Sequence, residues 1–411
     1  MAKAESRRIA ILGAGPIGLE AALYARKLGL PVTVYERGHV GEYVRRWGHV
    51  RLFSPFGMNC TRLGREAVGK ADLPGDNDCI TGHEHVAAYL EPLAKSELLR
   101  DCIKNETSVI KIGRAGFLKS DSPGDAKRGH SPFRLLVWRQ NQERTDEAEV
   151  VLDCTGTYGQ HCWMGEGGIP AVGERAAEQQ ISYALEDILG AKRGHYAGKS
   201  VLLVGAGYSA ATTAVQLAAV SETAPETWVI WLARAAKTQP LPRISNDPLK
   251  ERDRLAAKAN NLAARGDGNI EFHGQSHIQS VEWKGQDRGF RVTARCAGKD
   301  QSWDIDRIVA NVGYSPDTAL YRELQVHECY ASLGPMKLAA ALQKQSSSDC
   351  LSMGAMGPAT LVNPEPNFFV LGSKSYGRNS HFLLRTGFEQ IREVFMLITG
   401  KPDLDLYKAA K

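Results

Sequence analysis

IAILGAGPIGLEAALYARKLGLPVTVYER, residues 9–37, is the stretch that decides the fold. Four apolar residues, Ile9–Leu12, stop abruptly at a glycine. Such a run fits a strand buried on both faces, as parallel sheets require. Gly13, Gly15 and Gly18 follow in G-x-G-x-x-G spacing. The first glycine permits a tight turn and the second lets a pyrophosphate approach the backbone. The third lets the next helix pack close to the strand. That helix offers free N–H groups and a positive dipole end to phosphate. Leu19, Ala22, Leu23 and Arg26 continue at helical spacing, and Gly29 suits the residue just past the helix end. A second strand, Val32–Tyr35, runs into Glu36. A carboxylate there can bind both hydroxyls of an adenosine ribose, which fits FAD or NAD.

The same pattern returns as VLLVGAGYSAATTAVQLAAV, residues 201–220. Gly205, Gly207 and Ala210 hold the three fingerprint positions, with Ser209 at the start of the helix. Here the second strand, Trp228–Leu232, ends at Ala233 and Arg234, with Lys237 just beyond. No acid stands at the ribose position. A guanidinium can pair with a 2′-phosphate, which favours NADP over NAD. A surface arginine without a ligand is the competing reading of Arg234. Two dinucleotide sites in one chain point to electron transfer between the two nucleotides.

The rest of the composition narrows the class. The 411 residues suit two or three domains, and 43% hydrophobic content suits packed cores. Lys+Arg 51 against Asp+Glu 46 leaves a net charge of only +5. No basic block with interleaved aromatics suggests nucleic acid. No stretch approaches membrane-spanning length and no signal core follows the N-terminus, so a soluble cytoplasmic protein is expected. The eight cysteines stand singly, which speaks against structural disulfides and against a zinc site. His83 and His85 open an apparent helix, HEHVAAYLEPLAK, where i and i+2 face apart; they read as solvated residues, and no metal is expected.

Residues 121–131 read as an exposed turn, and Tyr183–Leu189 as a short helix. Residues 246–265 read as an exposed, charged helix. Two apolar strands end in similar glycine turns, VVLDCTGTYG (150–159) and IVANVGYSPD (308–317). They bracket the second fingerprint and suggest an inserted domain. The expected division is residues 1–160 with 311–411 for FAD, 195–310 for NADPH, and 161–194 as a connecting segment.

These pieces together resemble the two-dinucleotide-binding flavoproteins. That group includes the flavin-containing, Baeyer–Villiger and N-hydroxylating monooxygenases and the thioredoxin-reductase-like enzymes. The resemblance covers most of the chain: GAGPIGLE with Glu36, DCTGTY, GAGYSA with Arg234, NVGYSPD, and the C-terminal NFFVLGSKSYGRNSHFLLRTGFEQI. It implies an α/β fold of two Rossmann-like domains of the glutathione-reductase type, the FAD domain discontinuous and the NADPH domain inserted. It implies that Gly13, Gly15, Gly18 and Glu36 contact FAD and that Val109 touches its adenine. Thr155 and Gly156 would lie over its phosphates. Gly372 and Ser373 occupy the place where reductase relatives carry Gly-Asp for the ribityl chain, and Ser373 departs from that acid. A last helix starting near His381 or Phe382 would aim its N-terminus at the flavin, where reduced flavin carries negative charge. Gly205, Gly207, Ser209 and Arg234 would hold NADPH.

The departures bear on the reaction. Disulfide reductases of this type need a vicinal cysteine pair, and none is present. The F-x-G-x-x-x-H signature of several monooxygenases has only a degenerate counterpart in ILGAKRGHYAGKS, with Gly190 and His195 one residue too far apart. In relatives the segment Arg45–Gly64 runs beside the isoalloxazine. It mixes Trp47, Phe53 and Phe56 with Arg51, Ser54 and Asn59, as a cofactor pocket requires. Asn59 and Ser54 are the candidate catalytic residues, as hydrogen-bond partners of a flavin C4a-hydroperoxide. Arg378, Asn379 and His381 are candidates to face substrate. The leading expectation is NADPH-dependent oxygenation of a nitrogen or sulfur on a small molecule, with molecular oxygen as co-substrate. Two alternatives remain: a flavin reductase or dehydrogenase with a non-oxygen acceptor, and a non-catalytic redox sensor. A homodimer is open.

Overall fold

A computed structural model describes residues 7–69, 72–236, 239–265, 268–344, 351 and 355–408. The chain forms two compact units, one of residues 1–160 and 315–411, the other of His161–Tyr314. The second therefore interrupts the first in sequence. Residues 161–194, expected as a connecting segment, and 311–314, expected with the first unit, both belong to the second.

The first unit begins β1 (Ile9–Leu12), helix Pro16–Lys27, β2 (Val32–Tyr35) and β3 (Ile103–Lys104). A three-stranded antiparallel meander follows, β4 (Ser108–Arg114), β5 (Phe133–Arg139) and β6 (Gln142–Ala148), and then β7 (Val150–Asp153). The second unit repeats this plan. It runs β8 (Ser200–Val204), helix Tyr208–Thr223, β9 (Trp228–Leu232), helix Lys250–Ala264 and β10 (Ile270–His273). Its meander is β11 (Ser276–Trp283), β12 (Phe290–Cys296) and β13 (Lys299–Ile305), followed by β14 (Arg307–Ala310). The chain then returns to the first unit with β15 (Phe368–Val370) and helix Leu384–Thr399.

Both large sheets are parallel throughout. Their orders are β15-β7-β1-β2-β3 and β10-β9-β8-β14. The alternation of β1 explains the layering. Ile9 and Ile11 pack with the helices Pro16–Lys27 and Leu384–Thr399, while Ala10 and Leu12 pack with the meander through Ile112, Phe133 and Leu135. In β8, Val201 and Leu203 face the helices, and Leu202 and Val204 face the meander residues Phe290 and Val292. Each Val, Leu, Ile or Phe among them contributes roughly 1.5–3 kcal/mol by leaving water. Apolar residues on both strand faces are thus what make each unit three layers thick.

Some expectations yield to tertiary contacts. No helix forms at Tyr183–Leu189. Ser182 bridges Val309 in an extended conformation, and the Tyr183 hydroxyl donates to the buried Glu174 carboxylate at 2.8 Å. The turn at 121–131 is not wholly exposed, because Arg128 within it is fully buried. The helix expected over 246–265 starts at Lys250, after Asp247 has turned inward to pair with Arg252 at 2.7 Å. Among the described residues, no helix is long and apolar enough to cross a membrane.

Candidate functional site

The first glycine loop closes against the end of β7. Gly13 has φ +95°, and a Cβ there would lie 2.8 Å from the Cys154 carbonyl oxygen. A Cβ on Gly18 would collide with the Gly13 carbonyl. Gly15 differs, since nothing lies within 4 Å of where its Cβ would be. Gly15 also precedes the helix Pro16–Lys27, and no side chain caps that N-terminus. An open backbone next to uncapped N–H groups is what a phosphate needs. Glu36 stands beside the loop, 9% exposed. One of its oxygens accepts from Ala14 N at 2.7 Å and the other from Gly38 N at 2.8 Å. A carboxylate offers about four acceptor positions, so about half remain for further donors.

The second loop repeats this geometry against the end of β14. Gly205 has φ +135°, and a Cβ there would collide with the Asn311 carbonyl. Gly207 again has nothing within 4 Å, and the helix Tyr208–Thr223 again lacks a side-chain cap. Gly207, Ser209 and Arg234 are exposed, while Ala210 is fully buried as the packing position requires. Thr213 donates to the Asn311 side chain at 2.7 Å, which holds the strand end to the helix. Lys237 lies outside the described residues.

Four further residues assigned to the first unit gather at the ends of β7 and β15. Thr155 and Gly156 follow β7, and Gly156 has φ +67°. Gly372 and Ser373 follow β15 and open the turn Gly372–Tyr376. A Cβ on Gly156 would come 3.5 Å from Ser373 Oγ, so the two loops are neighbours. Gly372 N donates to Gln390 Oε1 at 2.9 Å, which ties this turn to the last helix. That helix starts at Leu384, later than His381 or Phe382, because Asn379 Oδ1 captures the His381 N–H at 2.9 Å and Leu383 stays extended. Arg378 and His381 are exposed. Val109 sits in β4, opposite Val137 and beside a register shift.

Sequence reading missed two residues here, Lys374 and Asp153. Both are buried, at 1% and 0% exposure, and Lys374 Nζ donates to Asp153 Oδ2 at 2.6 Å. The signal was one charge in each of two otherwise uncharged runs, VVLDCTG and GSKSYG.

Ser54 and Asn59 turn toward one another. Ser54 Oγ donates to Asn59 Oδ1 at 2.9 Å, and Asn59 Nδ2 donates to the carbonyls of Ser54 and Pro55 at 2.9 and 3.2 Å. Both are buried, so their present bonds fasten the loop between Pro55 and Cys60. His85 is not solvated but 1% exposed, packed between Phe56 and Tyr89, and burial pushes its pKa down to about 4. His83 is exposed, with Nε2 3.2 Å from the Arg45 carbonyl. Trp47 Nε1 is enclosed and has no partner among the described residues. A buried donor of that kind calls for an acceptor.

The thiols differ by environment: hydrogen bonds from Ser332 and from the neighbouring backbone lower the pKa of the Cys329 thiol. Burial pushes the Cys102 thiol up to about 11, and raises Cys154 and Cys60 as well. Such thiols are inert nucleophiles. Cys350 lies outside the described residues. Among those described, no group of His, Cys, Asp and Glu is placed to hold a metal ion. His195 is exposed in the short helix Arg193–Tyr196, and Gly190 donates to Asp187 in the preceding turn.

Residues 10–117 match the family described as pyridine nucleotide-disulphide oxidoreductase. Flavin-containing monooxygenase FMO GS-OX-like 4 of Arabidopsis thaliana is 27% identical over 179 residues, 37% of this chain and 37% of the relative. The match thus spans little more than a third of that relative's length. A shorter flavin-containing-monooxygenase relative, FMO GS-OX-like 11 of the same plant, is 30% identical over 134 residues. That alignment takes in 27% of this chain and 80% of the relative. Among solved structures, the bacillithiol disulfide reductase of Bacillus cereus matches with TM-score 0.69 at 16% identity, over 96% of this chain and 99% of that one. An ornithine N-hydroxylase of Kutzneria sp. 744 matches with TM-score 0.63 at 14% identity, over 97% and 100%. At these identities the structural likeness establishes the fold.

Proposed function

This chain belongs to the flavin-containing monooxygenase family, and from that premise we propose that it is an FAD-dependent, NADPH-using monooxygenase. One observation carries the reading. Two open, uncapped glycine loops of the same build are followed by second strands that end in opposite charges, Glu36 and Arg234.

The first loop binds the FAD pyrophosphate through Gly13, Gly15 and Gly18 with the helix N-terminus behind it. Glu36 takes the adenosine ribose, and Val109 lies at the adenine. Thr155, Gly156, Gly372 and Ser373 line the remainder of the cofactor. The second loop binds NADPH through Gly205, Gly207 and Ser209, and Arg234 pairs with the 2′-phosphate. FAD, when bound, supplies the acceptance of hydride and the activation of oxygen. The protein binds, orients and excludes water. Ser54 and Asn59 hold the loop near the flavin in one shape, and the Trp47 N–H offers a donor to whatever fills the space beside it. The substrate is a small molecule carrying an oxidisable nitrogen or sulfur. The sequence carries no vicinal cysteine pair, which argues against disulfide reduction through such a pair. A homodimer belongs to the same proposal and is read by light scattering.

The test is steady-state stoichiometry on the FAD-loaded protein. With an accepted amine or sulfide, NADPH and oxygen should disappear one for one with little peroxide released. Fast reduction of a quinone or ferricyanide without oxygen uptake would establish the reductase alternative. A protein that binds FAD and turns nothing over would establish the sensor.

A further inference from the structure

A single buried ammonium joins two loops that the proposed function assigns to one cofactor. Lys374 Nζ donates to Asp153 Oδ2 at 2.6 Å and to Thr155 Oγ1 at 2.9 Å. Thr155 Oγ1 in turn donates to Asp153 Oδ1 at 2.7 Å, and Thr155 N reaches the same oxygen at 3.1 Å. The third side of the ammonium faces the Tyr321 ring, 5.2 Å from its centroid. Two of its three N–H donors are thus hydrogen-bonded, and the charge lies over an aromatic face. The three polar residues close a triangle at the adjacent ends of β7 and β15, which pair through Asp153 and Val370.

Lys374 is fixed from behind as well. Its turn is braced by Ser375 Oγ, which donates to the Gly372 carbonyl at 2.7 Å and accepts from Gln390 Nε2 at 2.9 Å. Gln390 also accepts from Gly372 N. One hydrogen-bonded truss thus runs from the last helix through the turn to the loop after β7. A charged pair this deep is seldom kept for stability, because an apolar pair of like volume does as well or better. What it specifies is geometry, here the separation between Thr155–Gly156 and Gly372–Ser373.

We propose that Lys374, through Asp153 and Thr155, is a positioning residue for FAD, clamping the loop after β7 to the turn after β15 at the spacing the cofactor needs. The inference rests on the reading that the first unit takes FAD. It makes Lys374 a residue that acts without touching the cofactor.

The experiment compares the full-length wild type with K374M and with the double variant D153L/K374M. Each is measured for FAD dissociation constant by fluorescence, for flavin midpoint potential, for NADP+ affinity and for melting temperature. The single variant strands a buried carboxylate and should lose melting temperature. The double variant should melt at or above the wild-type temperature and keep wild-type NADP+ affinity. Its FAD affinity should nonetheless fall at least tenfold, with a shifted potential. A double variant with FAD affinity and potential equal to wild type overturns the clamp and leaves the FAD site standing. Parallel loss of FAD and NADP+ affinity overturns it too, as a general packing defect. A wild-type protein that takes up no FAD overturns the parent reading instead.

Discussion

Gly13 and Gly15 stand two residues apart under opposite constraints. Gly13 needs φ +95° and has a carbonyl 2.8 Å from its missing Cβ. Alanine there should cost about 2 kcal/mol or more of stability. Gly15 is extended, with φ −78° and ψ −176°, and has room for a methyl group. The substitution G15A should leave thermal stability unchanged or slightly raised, while FAD affinity falls at least tenfold. Unchanged FAD affinity in a stable G15A protein would remove the phosphate from this loop. Glu20, one helical turn further on, shows a second residue-level effect. Burial pushes its pKa up to about 7, against the pull of the Thr61, Tyr407 and Tyr89 hydroxyls. The fold therefore holds a proton that the unfolded chain releases near pH 4.5. Stability from this group is full below that value and is lost as pH rises toward 7, by about 3 kcal/mol. His85, pushed down to about 4, acts with the opposite sign. The unfolded imidazole binds a proton near pH 6.5 that the folded one refuses, so stability rises with pH between about 4 and 6.5. The two slopes oppose each other over most of this range. Denaturant titrations of E20Q should uncover the rising slope and those of H85F the falling one. Parallel profiles for both variants and wild type would refute the assignment.

At the scale of elements, the meander of the first unit is pinned by a buried triad. Glu365 accepts from Arg114 Nε at 2.9 Å and from Arg128 Nη2 at 2.7 Å, and all three side chains have no exposure. Arg128 also donates to the Leu118 and Asp121 carbonyls, so the turn between β4 and β5 hangs on it. Replacing Glu365 by Gln strands two buried guanidinium groups and should cost about 3–5 kcal/mol in a denaturant titration. A loss below about 1 kcal/mol would show the triad to be relaxed by water. This element also marks where the sequence stops being legible. The strands β1, β2, β5 and β9 are readable to the residue, because each is dominated by apolar, largely β-branched or aromatic residues. The strands β6, QERTDEA, and β13, KDQSWDI, carry almost no apolar pattern. Each is the outer strand of a meander, and its pairing with β5 or β12 decides it rather than its side chains. Arg128 reads as part of a polar turn, since only the folded chain brings Glu365 to it.

On the scale of the whole molecule, each unit carries one glycine loop, one parallel sheet, one helical layer and one meander. The two copies differ at the end of the second strand. Glu36 is enclosed and bonded to its own loop, whereas Arg234 is exposed. Exchanging Arg234 for Ala should weaken NADPH binding tenfold or more and leave NADH nearly untouched. Equal effects on both would put the 2′-phosphate elsewhere. The duplication and the two fingerprints were legible because backbone chemistry demands glycine at set spacing. The Lys374–Asp153 clamp was not, since its partners are 221 residues apart in the chain and meet only through the pairing of β7 with β15. Where the electrons go after the flavin is the central claim, and rapid mixing tests it most directly. The FAD-loaded protein is reduced with NADPH in the absence of air and then mixed with oxygenated buffer while its absorbance is followed. The account predicts two phases, with a transient species distinct from both reduced and oxidised flavin, whose decay is speeded by an amine or sulfide substrate. A single-step return to oxidised flavin with a full equivalent of peroxide, or no reaction with oxygen at all, would contradict it.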